Sequence, residues 1–343
     1  MKIENEVKLD FIDVLIRPKR STLSSRSQVN LVKTVNFVNS RQSWTGVPII
    51  TSNMDTIGTF EMYNKLKEYQ IITCLSKHYA LEDFPDYLDK DYYMLSTGIS
   101  DAEYDKLTTL IATLDPKFIC VDVANGYMKK LVSFVRKLRD NYPTIVIACG
   151  NVVSREMVEE LILNGGADIV KVGIGSGSVC TTRLQTGVGM PQLSAVLECS
   201  DAAHGINGAI ISDGGITCPG DISKALGGGA DFVMLGSMLS GHDECLGELI
   251  EEEGVKYKLF YGMSSSNAMN KYHGGVAKYR SSEGKCVRIK YKGPVCNTID
   301  DILGGVRSTC TYIGASRVKD IPKCTTFMMV NRQVNTIYNG KEV

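Results

Sequence analysis

The sequence predicts an α/β protein of the (β/α)8, or TIM barrel, class with a long lid excursion after the eighth strand. Three observations predict it: eight short apolar runs, amphipathic segments between them, and polar or glycine residues gathered where the runs end. The runs are VPIITSNM (47–54), QIITCLSK (70–77), YYMLSTGI (92–99), FICVDVANG (118–126), TIVIACGNV (144–152), ADIVKVGIG (167–175), NGAIISDGG (207–215) and ADFVMLGSM (230–238). Each is rich in Ile and Val and nearly continuous rather than alternating, as strands of a parallel sheet buried on both faces should be. The intervening segments TFEMYNKLKEY, AEYDKLTTLIATL, MKKLVSFVRKLRDNY, SREMVEELILNGG, PQLSAVLECSDAAHG and PGDISKALGGG carry helical spacing. Ser154 suits an N-cap, Pro191 and Pro219 suit first turns, and Gly165 and Gly227 suit helix exits. A final helix is expected over TIDDILGGVRSTCTYIG (298–314). A doubly wound sheet is the rival architecture, separated from the barrel by a strand order that sequence does not display.

One barrel domain is expected across residues 1–343. Its parts are an N-terminal extension (1–46), an active-site lid (239–297) and a tail (315–343). Both tails are polar with apolar patches, and are expected on the barrel exterior or on a neighbouring subunit. The lid, rich in Gly, Ser, Lys and Tyr, is longer than a plain connection, which points to a functional cover or a small subdomain.

Charge excludes several function classes. The 38 Lys+Arg balance 38 Asp+Glu, so the chain lacks the long-range field of a nucleic-acid or anionic-membrane binder. No apolar run approaches the ~18 residues that span a bilayer. MKIENEVKLDF is too charged for a signal peptide, so a cytoplasmic location is expected. The 11 Cys form no CxxC pair, and Cys74, Cys120 and Cys149 sit in apolar runs, which reads as reduced thiols rather than disulfides or a zinc site.

The most informative segment is VGIGSGSVCTTRLQTGVG (172–189), after the sixth run. Gly173, Gly175 and Gly177 free the backbone to turn sharply and aim its polar groups at a ligand. The spacing is not a dinucleotide fingerprint, because Ser178 stands where the last glycine is needed. Cys180 is the one cysteine in such a loop, where modest activation makes a thiol a nucleophile. An arbitrary Cys is more often a small buried hydrophobe; the glycines and the neighbouring Thr181 and Thr182 favour the chemical reading here. Asp213-Gly214-Gly215 and Gly236-Ser237 end the seventh and eighth runs, where barrels frequently hold a phosphate on backbone N–H groups. Asp213 would repel phosphate and suits ribose hydroxyls instead. DGG alone is usually a turn; paired with Gly-Ser it points to a nucleoside monophosphate. In the lid, Glu283 between Ser282 and Gly284 is a proton-transfer candidate, although a lone loop Glu is more often solvated. Lys77, Asp122 and Asn151 also end runs, where capping explains them equally well.

Together these blocks resemble the family of inosine monophosphate dehydrogenase and guanosine monophosphate reductase. GIGSGSVCTTR (173–183), TGVGMPQLSAV and SDGGITCPGDISKALGGGADFVMLGSM (212–238) carry the resemblance. It extends from DVLIRPKRSTLSSRS (13–27) to STCTYIGA (308–315). Three features are similar to the reductase side: no regulatory insertion between strands two and three, a lid reading YGMSSSNAMNKYHGGVAKYRSSEGK without the dehydrogenase's Arg-Tyr pair, and STCTY near the last helix. The resemblance implies NADPH-dependent reductive deamination of GMP to IMP with release of ammonia, a step of purine salvage. It implies Cys180 as the nucleophile forming a thioimidate at purine C2, with Thr182 and Glu283 as a proton relay. Glu283 would then carry a proton at neutral pH, partly desolvated under the lid.

By the same resemblance, the nucleotide would meet Asp213, Gly214, Gly215, Gly236, Ser237, Gly262, Met263, Ser264, Arg280, Ser281, Ser282 and Gly284. The cofactor would meet Lys77, Asp122, Val123, Ala124, Ile174, Gly175, Met263 and Tyr279. Its distal part would meet Ser25, Arg26, Ser308, Thr309, Cys310 and Thr311, some from a neighbouring subunit of a homotetramer. Carbonyls of Gly175, Gly177, Cys180 and Arg183 would hold a monovalent cation, K+. Two positions depart from the family pattern: Ser176 stands where Pro is common, and Ser237 where a second Gly is common. The competing readings are a dehydrogenase oxidising IMP to XMP with NAD, a flavin-dependent barrel, and a retired nucleotide-binding scaffold.

Overall fold

The computed structural model describes residues 3–275 and 281–331 of the 343. Eight parallel strands close into a barrel: β1 (Ile49–Thr51), β2 (Ile72–Leu75), β3 (Tyr93–Thr97), β4 (Phe118–Asp122), β5 (Val146–Val152), β6 (Ile169–Val172), β7 (Ala209–Asp213) and β8 (Phe232–Leu235). Closure places Val233 of β8 opposite Ile49 of β1 and Leu235 opposite Thr51. Each predicted run holds one strand, and the closure excludes the doubly wound alternative.

The strands are continuous apolar runs because they serve two cores. Ile50, Ile72, Met94, Phe118, Val146, Ile169, Ile211 and Phe232 share the cluster inside the barrel. Their neighbours Ile49, Leu95, Ile119, Ile147, Val170, Ile210 and Val233 pack with the helices. Cys74 and Cys120 belong to the inner cluster and Cys149 to the outer; all three are free and buried, and burial pushes the Cys149 thiol up.

The covering helices are α1 (Phe60–Leu66), α2 (Asp101–Leu114), α3 (Lys129–Asn141), α4 (Arg155–Glu159, continued by a π turn over Glu160–Asn164), α5 (Thr182–Thr186), α6 (Gln192–Gly205) and α7 (Pro219–Gly227). In α2 a capping box forms: the Ser100 hydroxyl accepts from the Glu103 amide, and the Glu103 carboxylate accepts from the Ser100 amide. In α3 the spacing of Leu131, Phe134, Val135 and Leu138 builds one buried stripe. The crossover after β2 holds only a short 3-10 turn, Leu81–Asp83. Ser154 does cap α4 by position, but its side chain makes no capping bond. Pro219 opens α7, whereas Pro191 is the N-cap of α6 rather than a first-turn residue. Gly165 follows the π turn, and Gly227 is the last residue of α7, with Gly228 beyond it.

The excursion after β8 is a folded unit. It contains β9 (Leu249–Glu252), β10 (Val255–Tyr261), α8 (Ser266–His273) and β11 (Cys286–Lys290), the strands forming an antiparallel sheet. Helix α9 (Val295–Ile313) follows, beginning at Val295 rather than at the predicted Thr298. The N-terminal extension does not simply line the exterior. Its hairpin, Lys33–Asn36 with Ser43–Gly46, sends Val35, Phe37 and Trp44 into the cluster inside the barrel. Trp44 lies 5.4 Å from Phe232 between ring centroids, and its Nε1 donates to the Asp91 carbonyl at 2.8 Å. Beside it, buried Asp168 accepts from the Asn39 and Ser40 amides and pairs with Arg139 at 2.7 Å. The two tails meet where Val14–Ile16 pairs with Phe327–Met329.

Candidate active site

A cavity of about 280 Å³ opens at the carboxyl end of the barrel, beneath the lid. Ser52, Asn53 and Met54 form its wall after β1; Asp122 ends β4, with Val123 and Ala124 following it; Asn151 lies in β5. The β6 loop supplies Gly173, Ile174, Gly175, Ser176, Gly177, Val179, Cys180 and, at the start of α5, Thr182. Asp213 and Gly214 come from β7, and the lid adds Gly262, Met263, Ser264 and Glu283. Residues from opposite ends of the sequence therefore share one concave space, as the barrel architecture dictates.

Three side chains stand in line on its wall. The Cys180 thiol donates to Thr182 Oγ1 at 3.2 Å, and the Thr182 hydroxyl donates to Glu283 Oε2 at 2.7 Å. Backbone pairing brings Glu283 across the long sequence gap. The Thr181 amide donates to the Glu283 carbonyl at 2.9 Å, the Lys285 amide to the Val179 carbonyl at 3.0 Å, and the Glu283 amide to the Ser264 carbonyl at 3.1 Å. Gly284 bridges both Cys180 and Ser265. A Cβ on Gly284 would stand 2.9 Å from the Ser265 nitrogen, so only glycine permits this close approach. The turn before Cys180 closes through its amide, which donates to the Gly177 carbonyl at 3.0 Å. Gly175 has φ +79, and a Cβ there would meet Arg183 Cγ at 2.5 Å. Arg183 in turn pairs with Asp10 at 3.0 Å and donates to the Met190 carbonyl at 2.6 Å, bracing the loop from outside.

The cavity floor is charged. Lys171 of β6 is 2% exposed, and its ammonium lies 2.8 Å from Asp122 and 3.2 Å from Asp213. Asn53 donates to Asp122 at 2.9 Å, and Asn151 to Asp213 at 2.8 Å. Burial alone would raise the Asp122 pKa, but the Lys171 charge and the Asn53 hydrogen bond hold it below its ordinary value. Burial alone would lower the Lys171 pKa, and the two carboxylates drive it well above the usual range.

Other predicted site residues stand outside the cavity lining. Lys77 pairs with Glu103 of α2 at 2.7 Å. Gly236 is adjacent to the wall, since a Cβ there would lie 3.1 Å from Ser52 Oγ; Ser237 begins a 3-10 turn behind it. The Gly215 amide donates to the Ser176 carbonyl at 2.9 Å. Ser281 donates to Gln185 at 3.3 Å and Ser282 to the Gly284 carbonyl at 3.1 Å, on either side of the strand of contacts that carries Glu283. Ser25 caps the Arg26–Gln28 turn, which packs on α9. On α9, Ser308, Thr309 and Thr311 donate to carbonyls of their own helix, and Cys310 is buried. Tyr279 and Arg280 lie outside the described residues.

Residues 8–336 match the sequence model of the IMP dehydrogenase / GMP reductase domain. The chain belongs to that family. Two relatives carrying the name GMP reductase, from Salmonella paratyphi B (strain ATCC BAA-1250 / SPB7) and Salmonella schwarzengrund (strain CVM19633), are each 58% identical over 348 residues. Each alignment covers 99% of this chain and 100% of the relative. Family membership agrees with the resemblance carried by the Cys180 loop and the β7–β8 block. The cavity adds Ser52, Asn53, Met54, Lys171 and Met234, none singled out from sequence. Lys171 had a readable signal, a lone charge inside an apolar run, which demands a buried partner.

Proposed function

We propose that the chain catalyses NADPH-dependent reductive deamination of GMP to IMP, releasing ammonia. The observation that carries the proposal is the line Cys180–Thr182–Glu283 on the cavity wall. In this reading the Cys180 proton passes to Thr182 as the Thr182 proton passes to the Glu283 carboxylate. The thiolate adds to purine C2, and the amine is protonated through the same two residues in reverse. Ammonia departs, leaving a thioimidate between C2 and Cys180. Reduction at C2 then restores a tetrahedral carbon, whose collapse expels the thiolate and forms IMP. Glu283 thus takes up, from Cys180 during attack, the proton that the resemblance asks of it, and returns it to the departing amine.

Asp213 would accept from the ribose hydroxyls, and Gly214, Gly215, Gly236 and Ser237 would offer phosphate contacts. Met263 and Ser264 would cover the base, with the lid run from Arg280 to Gly284 closing the nucleotide side. NADPH, when bound, supplies the hydride. Asp122, Val123, Ala124, Ile174 and Gly175 share the cavity with Cys180 and fit a nicotinamide beside it. Lys77 and Tyr279 would flank it, and the α9 surface around Ser308–Thr311, with Ser25 and Arg26, would serve its distal part in a homotetramer. The neutral carbonyls of Gly175, Gly177, Cys180 and Arg183 suit K+ by their chemistry. Those of Gly177 and Arg183 each accept one amide and keep a second lone pair. A cation held there would stiffen the Cys180 loop.

The test follows the near-ultraviolet absorbance of the reduced nicotinamide in two arms, NADPH with GMP and NAD with IMP. GMP-dependent loss, ammonia release and abolition by Cys180→Ala are expected. Thr182→Val should slow turnover by about 10²-fold or more, the usual worth of a positioned proton-transfer group. A gain in the IMP arm would identify a dehydrogenase instead, and silence in both would overturn the proposal.

A further inference from the structure

Two elements of the lid converge on a barrel residue outside the proton relay. Asp55 lies in the turn after β1, next to the cavity-wall residues Ser52–Met54, and is 2% exposed. One of its oxygens, Oδ2, accepts three hydrogen bonds from the lid: the Tyr261 hydroxyl at 2.7 Å, Lys271 Nζ at 2.9 Å and the Tyr272 hydroxyl at 2.6 Å. Tyr261 ends β10 immediately before Gly262–Ser264 of the cavity, while Lys271 and Tyr272 belong to α8. The Tyr272 ring also lies flat against His78, with centroids 3.4 Å apart and planes 6° from parallel. His78 follows β2 in the barrel.

A carboxylate taken out of water is costly unless donors replace the water, so simple packing of a lid gives no reason to bury one. Burial would raise the Asp55 pKa, yet the bonds from Tyr272, Lys271 and Tyr261 hold it below its ordinary value. An apolar contact would hold the lid without fixing its angle. Three directional bonds from a strand end and a helix fix both elements relative to one barrel atom. Beside the relay, Gly284 and Glu283 tie the lid to the Cys180 loop through backbone pairing. The Asp55 contact is a second tie, reaching the lid through Tyr261 and α8.

We propose that Asp55 is a positioning residue that latches the lid to the barrel, keeping Met263 and Glu283 in register with Cys180. The proposal rests on the reaction assigned above and assigns a residue to its lid.

The test compares wild type with Asp55→Ala, Asp55→Asn and Tyr272→Phe in the full-length protein. The first readout is amide hydrogen exchange without nucleotide. The second is GMP-dependent NADPH oxidation. Asp55→Ala is expected to speed exchange in β10, α8 and β11 by about 10-fold or more, sparing β4–β8, because local opening is governed by local bonds. It should lower kcat/KM by about 30-fold, in keeping with hydrogen bonds to a charged group. Asp55→Asn keeps an acceptor and should recover part of both effects; Tyr272→Phe keeps the ring and should give a smaller loss of the same kind. Should Asp55→Ala fail to fold, the two milder variants carry the comparison. Unchanged lid exchange in every variant that folds overturns the latch, as does equal acceleration throughout the barrel or unaltered kcat/KM. A wild type inert toward GMP would refute the reaction and the positioning role built on it, while the exchange comparison would still decide whether Asp55 holds the lid.

Discussion

Lys171 sits between two carboxylates on the cavity floor, and each of the three charges is tolerable only because of the others. Lys171→Met would leave Asp122 and Asp213 facing one another without a counter-charge. Breaking a buried pair in this way costs about 3–5 kcal/mol, and the partial exposure of the two acids places this case near the lower figure. The loss should depend on pH with a definite sign. In wild type, the depressed Asp122 pKa contributes stability present above its unfolded pKa and lost as pH falls through the folded value. In the variant the acids repel, so acid should recover stability. Urea unfolding of both proteins at neutral and mildly acidic pH checks this; parallel pH dependence would contradict it. Sequence displayed Asp122 as a run-ending residue and cofactor candidate, and Lys171 as a lone charge inside an apolar run. Their pairing requires the barrel to bring β4, β6 and β7 to one floor. Cys180 was legible because its glycine-rich loop is local, whereas its distance from Thr182 and Glu283 was not.

Among the elements, buried strands were legible and half-exposed ones were not. The barrel strands present apolar residues to both sides, so they stand out as continuous runs. In β10 the buried side includes Lys258, whose ammonium donates to the Cys245 carbonyl at 2.7 Å, so a charge occupies a position where alternation calls for an apolar residue. The turn from β9 into β10 uses Glu253 and Gly254 at φ +51 and +76, a two-residue hairpin without the usual Asn-Gly signal. Helix α2 carries an element-scale prediction. Glu103 caps its start and pairs with Lys77 across the β2 loop. Burial would raise the Glu103 pKa, but Lys77 and Ser100 lower it from 4.5 to about 2. Its contribution is complete above pH 4.5 and is lost as pH falls toward about 2. Glu103→Gln should therefore destabilise the protein at neutral pH and flatten the acid limb of its stability profile. Thermal unfolding across that pH range measures both effects, and an unchanged acid limb would remove Glu103 from the account.

At the scale of the whole molecule, the cavity and the hairpin plug occupy opposite ends of one barrel. The carboxyl ends of the strands carry the cavity, the charged floor and the lid. The amino ends are plugged by the 33–46 hairpin, with Trp44 against Phe232 and Asp168 gathering Asn39, Ser40 and Arg139. Alternation predicts a strand pair poorly in so short a hairpin, and nothing local says that its aromatic residues enter a barrel formed later in the chain. Trp44 is 2% exposed and tightly surrounded, so Trp44→Ala should remove packing worth about 3–5 kcal/mol. For a domain of this size that lowers the melting midpoint by roughly 4–7 °C. Because the plug fills the end of the barrel away from Cys180 and the cavity mouth, GMP-dependent NADPH oxidation well below the new midpoint should stay within about twofold of wild type. Melting and kinetics on the same preparation check the division. A large loss of turnover at a temperature where the variant is fully folded would show that the plug reaches the catalytic end through the stacked side chains of the barrel interior.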